Sequence, residues 1–149
     1  TWRARDLSRM LPTLTRWLIK TALLYFVASI ALGVVLAAKD AFGLAPSLAG
    51  LVPVYFHLLM VGWVTQLIFG VAFWMFPRYS KEKPRGREGL AWAMYASLNA
   101  GLLLRAIAEP MHSGAPSAFW AAVLVVSALL QWSAGLMFVA NMWKRIREK

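Results

Sequence analysis

Cysteine is absent, acidic residues number six and histidines two among 149 residues, and only 15% of the chain is charged. Without cysteine there is no disulfide, no iron–sulfur cluster, no thiolate-held metal and no covalent attachment of a c-type haem. Soluble domains carry roughly 25% charged residues, so the shortage of charge argues against a water-soluble fold. No glycine-rich phosphate loop, nucleophile triad or paired carboxylate occurs. None of the six acids falls in the middle of an apolar run, which removes a carboxylate proton relay as well.

What the chain has instead is apolar sequence, 60% by the broad count. It is concentrated in four acid-free runs of 20 to 25 residues: Trp17 to Ala38, Pro53 to Phe76, Gly89 to Ala108 and Phe119 to Trp143. At 1.5 Å per residue, each crosses a hydrocarbon core of about 30 Å. Too little chain remains for an extramembrane domain with its own core. In lipid, runs of this length satisfy their backbone only as helices. The expected fold is therefore all-α, a single integral membrane domain over residues 1–149 with four transmembrane helices (17–38, 53–76, 89–108 and 119–143). The first run exceeds the 7 to 15 apolar residues of a signal peptide and reads as a retained anchor.

The formal charge of +10 is distributed unevenly. Fourteen of the sixteen Lys and Arg lie in the N-terminal segment (Arg3, Arg5, Arg9, Arg16, Lys20), the second loop (Arg78, Lys81, Lys83, Arg85, Arg87) or the C-terminus (Lys144, Arg145, Arg147, Lys149). An even number of spans puts these three segments on one side. The positive-inside rule makes that side cytoplasmic and leaves only Lys39 and Arg105 toward the outer face. The basicity thus reads as topology, with the lipid bilayer and its anionic headgroups as partner, and not nucleic acid. The expected location is the cytoplasmic membrane of a prokaryote, with both termini cytoplasmic.

Comparing halves shows a weak repeat. Ala28-Ser29-x-x-x-Gly33-x-x-Leu36 matches Ala96-Ser97-x-x-x-Gly101-x-x-Leu104, and Gln66-x-x-x-Gly70-x-x-Phe73 matches Gln131-x-x-x-Gly135-x-x-Phe138. A parallel 2+2 duplication of a helical hairpin would give this pattern; so would the small-xxx-small spacing common to membrane helices. In either case these positions form narrow stripes for close helix approach, with Gln66 and Gln131 expected to hydrogen-bond across the bundle.

His57 is the histidine inside a span, four residues past Pro53 and roughly 6 Å below the outer boundary. At 100° per residue it shares a face with Val61, Val64, Ile68, Val71 and Met75, opposite Gly62, Gln66 and Gly70. Imidazole in such apolar surroundings usually has a partner, and its position is consistent with a hydrogen-bonded interfacial residue or an axial haem ligand. His112 falls in the third loop (Glu109 to Ala118) beside Met111, either solvated or available as a ligand. Arg105 stands one turn before Glu109, at the spacing of a helical ion pair. Trp63 lies deep enough for packing or for lining a cofactor. The remaining tryptophans mostly mark the membrane boundaries.

The run from His57 through Gly70, Phe73, Trp74 and Pro77 to Arg78 resembles the second helix of the haem-copper oxidase and nitric oxide reductase subunit I family. There a histidine near the outer end of the helix ligates the low-spin haem, and a Gly-x-x-aromatic-aromatic-x-x-Pro ending closes it. The spacing from histidine to ending is shorter here than in the family. The first span, from Lys20 through Tyr25 and Gly33, also looks like the family's first helix, and the likeness covers residues 16 to 79. The chain as a whole looks like the small four-helix relatives of oxidase subunit I.

The resemblance implies non-covalent haem b with His57 on the iron, serving electron transfer or haem-linked sensing. A second axial bond would come from His112, from Met111 or from the His57 of a second protomer in a homo-oligomer. Arg105 would clamp outward-pointing haem propionates. With two histidines the chain alone lacks the family's copper ligands and high-spin haem ligand, which excludes independent reduction of oxygen or nitric oxide by it. The alternative expectation is a cofactor-free accessory subunit packed against a larger respiratory or photosynthetic membrane complex.

Overall fold

The structure, a computed structural model, describes residues 12–43, 50–76 and 87–146. Four helices run through them: α1 (Thr13–Phe42), α2 (Leu51–Met75), α3 (Glu88–Gly114) and α4 (Ala118–Met142), followed by a single 3-10 turn at Trp143–Arg145. Each is long and apolar enough to cross a membrane. The protein is an all-α, multi-pass membrane four-helix bundle. Arg3, Arg5, Arg9, most of the second basic loop, Arg147, Lys149 and the side chain of Lys144, on which the charge asymmetry partly rests, lie outside the described residues.

The helix ends follow local chemistry. Gly43 closes α1 in the left-handed conformation (φ 63°), its N–H bonded to the Lys39 carbonyl, a backbone state glycine adopts without a Cβ penalty. Pro53 falls in the first turn of α2, where its missing N–H would have had no partner. Phe76, extended, precedes Pro77 and ends that helix. Ser117 caps α4 by accepting from the Trp120 backbone N–H at 3.3 Å.

One boundary corrects the sequence reading. The acid-free run stops at Ala108, which makes Glu109 to Ala118 the expected loop, yet α3 continues through Pro110 to Gly114. A proline costs one backbone bond, which a membrane helix can absorb. Met111 and His112 therefore sit on a helix, and the α3–α4 connection shrinks to residues 115–117.

The two hairpins are antiparallel and close-packed. Along α1 and α2, Gly62 faces Tyr25, Gly70 faces Leu18 and Ile19, and Gly33 faces Tyr55. The buried amide of Gln66 donates to the Leu18 carbonyl at 3.4 Å, a bond across the helices. In the second hairpin Gly101 lies against Ser127 and Gln131. Here the expected glutamine bridge is not made by Gln131: its Nε2 donates to Ser127 Oγ in its own helix at 3.1 Å, and Ser127 Oγ donates across to the Gly101 carbonyl at 2.8 Å. Serine is short enough to reach a carbonyl at a glycine contact, where the longer side chain has no room. Gly135, the counterpart of Gly70, has open space around it. The repeated positions are thus put to different uses in the two halves.

The densest packing gathers Leu14 and Leu18 of α1, Phe69 and Phe73 of α2, Met94, Leu98 and Leu102 of α3 and Met142 of α4. It lies toward the end holding the start of α1 and the close of α4, here termed the basic end. Phe69 stacks on Phe138 with ring centroids 3.9 Å apart. Apolar side chains such as Leu24, Val27 and Val34 face outward, as suits a protein whose solvent is hydrocarbon.

Candidate functional site

His57 closes the α-helical opening of α2 immediately before the chain widens into a π-helix over Leu58–Thr65. The widening shows in two bonds that reach five residues back: the Gln66 N–H to the Val61 carbonyl, and Thr65 Oγ1 to the Met60 carbonyl at 2.8 Å. Gly62 sits within it, where a Cβ would lie 2.8 Å from Tyr25 Cγ. The wider turn breaks the single strip projected at 100° per residue: Val61 packs against the core cluster while Ile68 and Met75 face outward. π segments inside α-helices occur frequently at functional sites.

The imidazole is half-buried, and its Nδ1 lies 2.9 Å from the Pro53 carbonyl oxygen. For that bond Nδ1 must carry a proton, and in the neutral ring Nε2 then keeps its lone pair. Nε2 has no protein partner among the described residues. A ring nitrogen tied to a backbone carbonyl, with the other free, is the arrangement that fixes the orientation and tautomer of a metal-ligating histidine.

On α3, Arg105, Glu109 and His112 share one face, being four and three residues apart. Arg105 Nη2 donates to Glu109 Oε1 at 2.8 Å, with both side chains largely buried. The ion pair read from the spacing is present. Arg105 Nε and His112 Nδ1 are buried without a hydrogen-bond partner. Met111 points elsewhere and is half exposed. The outer ends of α2 and α3 meet where Gly50 abuts Ser113 and Pro110. Counting inward from that contact puts Arg105 at the depth of His57, and His112 about 10 Å further out along the helix axes. His57 and Arg105 are thus brought to one level, while His112 and Met111 stand apart from it. Trp63 packs on Phe26 of α1 with ring centroids 4.2 Å apart.

Two features escaped the sequence reading. Tyr25 OH donates to Asn99 Oδ1 at 3.0 Å, Thr21 Oγ1 and Tyr95 OH share a bond of 3.2 Å, and Asn99 Nδ2 donates to the Tyr95 carbonyl at 2.8 Å. This polar bridge ties α1 to α3 within the apolar spans. Its signal was Asn99, an amide in an otherwise apolar run. Arg145, counted among the topology charges, is buried: its Nη2 donates to the carbonyls of Phe73 at 3.1 Å and Phe76 at 2.8 Å, and the guanidinium lies 5.4 Å from the Phe73 ring centroid.

No group of three or more metal-ligating side chains occurs among the described residues. A porphyrin-held metal would need axial bonds only, and the one ring nitrogen that His57 leaves unpaired is compatible with one such bond. No family model, curated protein or solved structure matches the chain.

Proposed function

We propose that this chain binds haem b non-covalently through His57 and serves electron transfer or haem-linked sensing, as a small relative of oxidase subunit I. The observation that carries the reading is the His57 ring, held at Nδ1 by Pro53 and open at Nε2. The haem, when bound, supplies one-electron chemistry at the iron. The protein's part is to fix the imidazole orientation through the Pro53 carbonyl and to set the charge nearby through Arg105 and Glu109. Arg105 keeps the role the resemblance gives it, contact with haem carboxylates, and its buried Nε has no hydrogen-bond partner in the protein. Since Met111 and His112 stand apart from the level of His57, the reading assigns the second axial bond to the His57 of another copy, hence a homo-oligomer. The orientation that goes with it has both termini cytoplasmic in a prokaryotic inner membrane.

A second reading, a cofactor-free accessory subunit of a larger respiratory or photosynthetic complex, is favoured by Trp63, whose ring is already engaged by Phe26. A visible spectrum of the purified protein, expressed with ample haem supply, separates the two. The haem reading expects a low-spin b-type spectrum that H57A abolishes while helicity is retained; a folded, colourless wild type overturns it and leaves the second.

A further inference from the structure

At the basic end, the lipid-facing side of α1 carries a hollow of about 200 Å³ lined by Thr13, Arg16, Trp17 and Lys20. These positions follow i, i+3, i+4, i+7 and so share one face. All four are exposed, opposite the buried Leu14, Thr15 and Leu18. Arg16 Nη2 donates to Thr13 Oγ1 at 3.4 Å, and no ion pair reaches Arg16 or Lys20 among the described residues. Two cations one helical turn apart, beside a hydroxyl and with no ion pair among the described residues, suit an anion.

The same face says what carries that anion. Trp17 is 53% exposed, as an indole at the headgroup level is, and further along the face Leu24 and Val27 are 68% and 66% exposed. Lys20 lies about 6 Å deeper than Arg16, so its ammonium must reach back toward the boundary, where it joins the guanidinium. A free phosphate would satisfy the cations and leave Trp17 and the apolar track below them uncovered. A phospholipid joins both chemistries in one molecule. We propose that Thr13, Arg16, Trp17 and Lys20 bind the phosphate headgroup of an anionic phospholipid whose acyl chain runs along Leu24 and Val27.

The full chain in mild detergent tests this by native mass spectrometry, comparing phosphatidylglycerol with phosphatidylcholine of the same acyl chains. Wild type is expected to retain phosphatidylglycerol preferentially. R16Q or K20Q each weakens the preference about fivefold, and the double variant loses it, by the usual contribution of a basic residue at an anionic surface. The single variants keep the result readable if the double variant inserts poorly. R16K, which keeps the charge, and K39Q/R87Q, which removes two charges elsewhere, leave the preference intact. Equimolar inorganic phosphate does not displace the lipid. An unchanged preference in R16Q and K20Q, an equal loss in K39Q/R87Q, or displacement by inorganic phosphate overturns the proposal, the last in favour of a free-phosphate site.

Discussion

A methyl group added at Gly62 would lie 2.8 Å from Tyr25 Cγ and 2.9 Å from Tyr25 Cβ, atoms near the root of a side chain whose far end is tied to Asn99. Neither partner can yield without moving a helix. G62A is therefore expected to destabilise the protein by about 1–3 kcal/mol, the usual range for overpacking. G101A should do the same, since Ser127 O and Gln131 Cγ each stand 2.9 Å from the site of its Cβ. G135A meets nothing within 4 Å and should be neutral; unfolding in graded denaturing detergent compares the three. In the sequence Gly101 follows Ser97 by four, Gly135 follows Gln131 by four and Gly62 precedes Gln66 by four; spacing alone does not rank them, and only the neighbouring helix distinguishes them. Arg105 and Glu109 allow a second test at the same scale, within the haem reading. Removing a positive charge near the iron favours the more positive oxidised state, so R105L should lower the reduction potential, whereas E109Q should raise it. Opposite shifts in a redox titration support the assignment; equal shifts count against a haem near this pair.

At the scale of elements, the four spans were legible because apolar length is a property of each segment by itself. The end of the second span was legible where the signal was equally local, at Pro77, whereas α1 runs past the expected Ala38 to Phe42 before Gly43 closes it. The end of the third span misled because Glu109 breaks the acid-free run without ending the helix: its charge is paired with Arg105, and α3 continues through Pro110 to Gly114. The π segment was not legible either: its five-residue bonds belong to a backbone pressed at Gly62 by a ring from another helix, and no periodicity encodes that. The histidine itself was readable from its type and depth, but the free Nε2 follows from the helical register that brings the Pro53 carbonyl to Nδ1. Arg145 shows the same limit, since a charge at a chain end reads as a topology signal. Here it satisfies two orphan carbonyls at the close of α2, where a cation also suits the helix dipole. R145Q should destabilise the fold by about 1–3 kcal/mol, the cost of leaving buried carbonyls unpaired. Amide hydrogen exchange should show the loss first in the last turn of α2.

Across the whole molecule, each hairpin holds itself together through glycine contacts and its own serine or glutamine bonds, so the relation between hairpins must be fixed by something else. At the outer end the Gly50–Ser113 contact joins α2 to α3, and at the basic end Arg145 and the Phe69–Phe138 stack join α2 to α4. Between these ends, the tyrosine, threonine and asparagine bridge is what links α1 to α3. Its two rungs, Thr21 with Tyr95 and Tyr25 with Asn99, span the same 74 positions in sequence and therefore fix one parallel register. Sliding α1 by a turn against α3 would break both rungs and strand the Tyr25 and Tyr95 hydroxyls in apolar surroundings, since Thr21 and Asn99 keep bonds to carbonyls of their own helices. The energy of each rung is modest all the same, because polar groups find other partners in an unfolded membrane chain, and such bonds average about 0.6 kcal/mol. The bridge should accordingly act on uniqueness more than on stability. A double-mutant cycle of Y25F and N99L should give a coupling near that average, while Y25F/Y95F, which removes both rungs, should broaden the distribution of distances between spin labels on α1 and α3. A narrow, unchanged distribution in that variant would show that the glycine contacts and Arg145 alone set the hairpin register.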